Sequence, residues 1–146
     1  MKRVLILLII PMFLFGCSSA DGKDDSENDD DKTIKVNQEF DIGNVNIEIQ
    51  TVKVSDDTIT VPIWWSHWAG DKKVHLTALA YPIVTQDGEE LKEVDGGDSL
   101  LKQKDKGVEG RAKVTYELLD DSTPVEIKFK TTADEPEEES IAVELE

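Results

Sequence analysis

Ile59-Thr60-Val61-Pro62-Ile63-Trp64-Trp65 places an apolar side chain at every second position, at Ile59, Val61, Ile63 and Trp65. That period sends alternate side chains to opposite faces of an extended strand. The same pattern recurs outward in both directions. Upstream, Val45, Ile47 and Ile49 alternate with polar residues, and Val52 and Val54 follow in the opposite phase. The switch near Gln50-Thr51 predicts a β-bulge or a strand that changes faces. Downstream, Val74, Leu76, Ala78 and Ala80 read as a strand, followed by a more uniformly apolar run to Val84. Val114, Tyr116 and Leu118 form another period-2 set, then Val125, Ile127 and Phe129, then Ile141, Val143 and Leu145.

Turn-forming clusters separate these sets: Asp41-Ile42-Gly43-Asn44, Asp56-Asp57, Ala69-Gly70-Asp71, Gln86-Asp87-Gly88, Asp95-Gly96-Gly97-Asp98 and Asp120-Asp121-Ser122. Only Ser99 to Lys106 hints at a short helix. Many short strands without interleaved helices predict an all-β protein, an immunoglobulin-like antiparallel β-sandwich of seven or eight strands over residues 33–146. The Cys–Trp–Cys hallmark of antibody domains is absent, and the single cysteine leaves no disulfide within the chain. A sandwich of this size buries enough surface to fold without one.

Residues 1–16 read as a signal peptide. Lys2 and Arg3 precede an apolar stretch from Val4 to Phe15, interrupted only by Pro11 and shorter than the ~20 residues a spanning helix needs. It ends Leu14-Phe15-Gly16-Cys17, which resembles the lipobox of bacterial lipoproteins. The resemblance implies recognition by a signal peptidase through Leu14 and Gly16, and diacylglycerol on the Cys17 thiol. Two acyl chains at about 0.8 kcal/mol per buried CH₂ hold a protein on a membrane essentially permanently. The expected location is the outer face of the cell membrane, with the folded domain outside.

The 146 residues include 32 acidic and 16 basic side chains, for a formal charge of −16. Cleavage before Cys17 removes Lys2 and Arg3 and takes it to −18. Such a chain repels nucleic acid and anionic headgroups and stays soluble. The acids concentrate first in the linker, Cys17 to Lys32, where Ser18-Ser19-Ala20-Asp21-Gly22 leads into an Asp-rich run. That segment has too little apolar surface to fold and is expected to be a disordered spacer. It does not make a calcium loop. Counting from Asp25, Asp30 stands where an EF-hand needs glycine and Val36 where it needs glutamate.

From Gln86 onward the chain resembles a family of uncharacterised Gram-positive lipoproteins with an immunoglobulin-like domain of unknown function. The matching positions are Gln86, Gly88 and Leu91 in a Gln-x-Gly-x-x-Leu turn, then Gly110, Tyr116 and Leu118, then Pro124, Val125 and Ile127. The resemblance spans roughly residues 40–130. It implies a lipid-anchored β-sandwich and no particular reaction.

Trp64, Trp65 and Trp68 are all of the tryptophans, gathered within five residues around Ser66 and His67. On a strand, Trp64 and Trp65 must face opposite sides, one filling the core and one facing out, with Trp68 near the hairpin end. Exposed tryptophans stack on sugar rings or peptides, and Trp64, Trp65, His67 and Trp68 are the candidate binding surface. Two histidines, His67 and His75, without cysteine make at most half a zinc site, so no metal or other cofactor is expected. No Gly-x-Ser-x-Gly elbow and no phosphate-cradling glycine loop occur, and carboxylates are too abundant to single out a catalytic pair. The expectation is therefore a non-enzymatic lipoprotein, with no catalytic residues. Its partners would be the membrane, through lipid on Cys17, and an envelope glycan, peptide or protein, but no nucleic acid. The alternatives are a wall-directed hydrolase using surface carboxylates, and a surface-exclusion or immunity-type lipoprotein that acts by occupying a partner.

Overall fold

The computed structural model describes residues 31–146. These hold nine strands: β1 (Lys32–Ile42), β2 (Val45–Ser55), β3 (Thr58–His67), β4 (Ala80–Gln86), β5 (Glu89–Glu90), β6 (Glu93–Asp95), β7 (Gly110–Glu117), β8 (Val125–Thr131) and β9 (Glu138–Val143). They form two antiparallel sheets, one in the order β1-β2-β3-β7-β6 and one in the order β5-β4-β8-β9. The expected sandwich is present. The count exceeds seven or eight because β5 and β6 are edge pieces of two and three residues.

The alternating apolar residues do pack inward. Ile47, Ile49, Ile59, Val61 and Ile63 of the first sheet are buried, as are Val84, Ile127, Phe129 and Val143 of the second. Phe40 and Phe129 meet across the gap with ring centroids 5.7 Å apart. The phase switch in β2 is a bulge. Between the pairs Glu48↔Trp64 and Lys53↔Thr60 the β2 strand carries one residue more than β3, and Gln50 is expelled to solvent. Pro62 lies in the shortened span of β3. It has no N–H to donate, and a central strand accommodates it where the ladder opens.

Two expectations are corrected. Val74 to Ala80 is not a strand. Val74 pairs only as an isolated bridge to Lys104, Leu76–Ala78 forms a 3-10 turn, and the ladder begins at Ala80, the first residue of β4, opposite Thr131. Leu76 and Ala80 are fully buried while Ala78 is exposed. A spacing of four fits a turn as well as a strand, and the His75 Nδ1···Thr77 Oγ1 contact at 2.9 Å together with Leu79 N–H donating to Leu76 O decides for the turn. Likewise Ser99 to Lys106 is no helix: Ser99 to Leu101 closes a 3-10 turn over Gly97–Leu101, and the chain beyond leaves it extended at Lys102 and bridges to Val74 at Lys104.

The sandwich also begins slightly ahead of residue 33. Lys32 is already in β1, with its Nζ donating to Leu145 O at 2.6 Å. The Asp31 carboxylate meets Lys53 Nζ at 2.6 Å and accepts from the Ser55 hydroxyl. These two partners hold its carboxyl below the usual range. The signal segment, its recognition residues Leu14 and Gly16, Cys17 and the linker through residue 30 lie outside the described residues.

Candidate functional site

Strand β3 sorts the tryptophans. Trp65 points inward and is 2% exposed, lying directly over Gly110, its cross-strand partner. A Cβ at Gly110 would sit 2.5 Å from the Trp65 ring, so only glycine leaves room for it. Trp64, one position earlier, lies half-buried on the outward face. Trp68 is 43% exposed just past the strand, with its backbone N–H donating to Asn44 O at 3.1 Å.

Of the four residues expected to form a binding surface, Trp64 and Trp68 are at the surface. Trp65 and His67 are not, which corrects that expectation. The strand does not stop at Ser66, so His67 stays in phase with Trp65 and is 1% exposed. Its Nε2–H donates to Lys104 O at 2.8 Å, and its ring lies 6.2 Å from that of Trp65. His67 Nδ1 has no hydrogen-bond partner among the described residues. Among the described residues no three His, Cys, Asp or Glu side chains gather as metal ligands would.

Around Trp64 the outward face of the first sheet becomes a site. In register, Trp64 lies between Glu48 of β2 and Arg111 of β7, and Pro62 opposes Lys113 in the next outward row. The segment after β6 supplies the other wall. At Gly96 (φ +84°) the chain presses onto β7 so closely that a Cβ would lie 2.0 Å from Lys113 O. Ser99 then pins it, its Oγ accepting from Lys113 N–H at 2.9 Å and donating to Gly96 O at 2.6 Å. The result is an open groove of about 310 Å³, lined by Pro62, Trp64, Ser99, Lys102, Arg111 and Lys113, with Ile63 and Ala112 in the floor. Every charged residue in that lining is a cation. Arg111 Nε is engaged by Glu109 at 3.0 Å. Lys102 and Lys113 are exposed and take part in no ion pair among the described residues.

A larger opening of about 480 Å³ lies where the two sheets part, between β1 and β9. It is lined by Ile34, Val36, Ile141 and Val143 with Lys35, Glu144 and Glu146, charges of both signs along a seam between two edge strands. The displaced titrations lie elsewhere and have structural causes. Burial, with the negative charges of Glu93 and Glu90 nearby, pushes the Tyr116 hydroxyl up. Backbone N–H groups of Thr123 and Ser122 bring Asp120 down to about 2, as in a capped turn.

Gln86 is the residue whose role the sequence did not reveal. It is fully buried in β4. Its Nε2 donates to Asp120 O (2.9 Å) and Thr123 O (2.8 Å), while Oε1 accepts from Leu119 N–H (2.7 Å) and Asp120 N–H (3.3 Å). One amide thus fixes the whole β7–β8 connection. Leu91, Tyr116, Leu118, Val125 and Ile127, the other motif positions with large side chains, are all buried. The motif maintains the sandwich.

The family described as "Domain of unknown function (DUF5067)" matches residues 19–131. A solved structure described as "The crystal structure of the conserved domain protein from Bacillus anthracis" matches with a TM-score of 0.52 at 10% identity, over 80% of this chain and 50% of that one. The chain therefore spans about half of that neighbour, and the likeness shows the β-sandwich fold alone. No curated protein matches.

Proposed function

The chain belongs to the family of the domain of unknown function DUF5067, and from that premise we propose a lipid-anchored surface lipoprotein that binds a component of the cell envelope on the outward face at Trp64, without chemical turnover. The observation that carries the binding role is an indole left outward on a central strand, in a groove whose walls are held by the Ser99 bonds. A half-buried indole in an open groove offers a flat apolar face that a partner can cover. The anchor rests on Leu14-Phe15-Gly16-Cys17.

The register adds support. Cys17 connects to the sandwich at Asp31, and Lys32 is level with Val54 and Ile59. The opposite end of the sheet is the row Ile42, Val45 and His67. Eight residues of β3 separate the two rows, about 26 Å along a strand. Trp64 and Trp68 thus lie toward the end remote from the tether, where a membrane-held domain meets its surroundings.

The test uses the full chain in mild detergent, mixed with purified cell-wall sacculi and sedimented. Wild-type protein should sediment with the walls, and Trp64→Ala should stay in the supernatant with an unchanged circular dichroism spectrum. Equal sedimentation of both would contradict the site. For the anchor, Cys17→Ala should abolish incorporation of labelled palmitate. Labelling that survives would contradict lipidation there.

A further inference from the structure

We propose that the Trp64 groove takes an anionic saccharide, the ring stacked on the indole and its carboxylate or phosphate held by Lys102, Arg111 and Lys113. This rests on the binding role given above and names its ligand class.

The first ground is charge. In a chain of formal charge −16, the charged residues of this groove are all positive. Lys102 and Lys113 make no ion pair, and Arg111 is engaged through Nε by Glu109, with no bond to its terminal nitrogens among the described residues. Lys102 and Lys113 have no matching acid and Arg111 is met by Glu109 through Nε alone, so the cations of the groove repel one another and an anion relieves that repulsion. A guanidinium presents its donors in a planar fork that fits carboxylate and phosphate.

The second ground is the floor. Residues Thr58 to Trp65 of β3 pair with β7 in an unbroken register, so the strands beneath the groove offer no free ladder edge. An extended peptide adding as a strand needs such an edge. Recognition here falls to side chains, and the side chains are an indole plate, a proline and three cations. The volume lies at the lower end of the ~300–1,000 Å³ of small-ligand sites, which suits one ring of a longer polymer. One row beyond Pro62 and Lys113, the hydroxyls of Thr60 and Thr115 lie 2.8 Å apart on the same outward face, polar neighbours for a second ring. Nucleic acid also combines rings and phosphates, but its dense charge is repelled by the acidic remainder of the protein.

The experiment titrates the full chain in mild detergent, by calorimetry, with four probes: a galacturonate tetramer, a phosphorylated mannose oligomer, and the neutral galactose and mannose oligomers of the same lengths. We expect at least one anionic oligomer to bind tenfold or more tighter than its neutral counterpart, and the two anionic arms tell carboxylate from phosphate. In Lys102→Glu/Lys113→Glu, two exposed positions, that preference should vanish while the thermal melt is unchanged. Equal affinity for charged and neutral oligomers would overturn the anionic ligand. So would wall binding that depends on Trp64 while all four probes fail, since the ligand would then be of another class. Loss of wall sedimentation in the wild type would instead remove the underlying binding role.

Discussion

The two outward faces of this sandwich obey the same alternation and end differently. On the four-stranded sheet, β8 turns Lys128 and Lys130 outward, and Glu138 on β9 meets both, at 3.9 and 3.1 Å. That contact, with Glu138 as hydrogen-bond partner, raises the Lys130 ammonium above its ordinary value. On the five-stranded sheet, β7 turns Arg111 and Lys113 outward beside Trp64; Glu109 meets Arg111 through Nε, while Lys113 makes no ion pair among the described residues. One face neutralises its cations within itself and adds only solubility. The other leaves cations beside an aromatic plate. A satisfied face needs no partner, whereas an unsatisfied one is where a partner gains most.

Adjacent residues of β3 give the strongest way to break that contrast. Trp65→Ala empties the core over Gly110 and should cost about 3–5 kcal/mol in urea unfolding. Trp64→Ala should cost about 1 kcal/mol or less, as surface changes do, yet remove wall binding. Similar stability losses for both would mean that Trp64 is a core residue. Gln86→Leu comes next. It takes the partner from two N–H groups and two carbonyls of the part-buried β7–β8 connection, and at about 1–3 kcal/mol for an unsatisfied group we expect roughly 2–4 kcal/mol in the same measurement, with wall binding intact in the folded fraction. Ser99→Ala should cost about 1 kcal/mol. Because it frees the groove wall, it should weaken wall binding more than its stability loss explains. An unaltered binding curve would make Ser99 a turn residue only.

The smallest effect is acidic. Asp120 has its folded pKa lowered from an ordinary ~3.9 to about 2 by the turn's N–H groups. Its stabilising contribution is therefore complete above about pH 4 and is lost as pH falls toward about 2. Thermal melts should decline over that window, and Asp120→Asn should decline less steeply. Identical slopes would show that other carboxylates, Asp31 among them, carry the acid sensitivity.

The fold was largely legible because alternation is a local signal. The β2 bulge was visible as a phase change at Gln50-Thr51, and the opposite facing of Trp64 and Trp65 followed from strand geometry alone. The site was half legible. Trp64 could be named, but Lys102, Arg111 and Lys113 reach it through the β3–β7 register and the turn at Gly96, pairings that no local pattern encodes. His67 was misplaced because its exposure depends on where β3 stops, and turn residues at Ala69-Gly70-Asp71 do not fix that limit to one position. The turn motif at Gln86 was visible, while its partners lie 33 to 37 residues away. A spacing pattern cannot reveal an amide that closes a distant loop.

The most direct test follows the three indole N–H resonances of tryptophan-labelled protein while soluble cell-wall fragments are added, with Trp64→Phe assigning one peak. The Trp64 resonance should shift saturably while that of Trp65, sealed beneath the sheet, stays in place. A static Trp64 resonance in fragments that nevertheless bind the protein would contradict the assignment of this face as the binding surface.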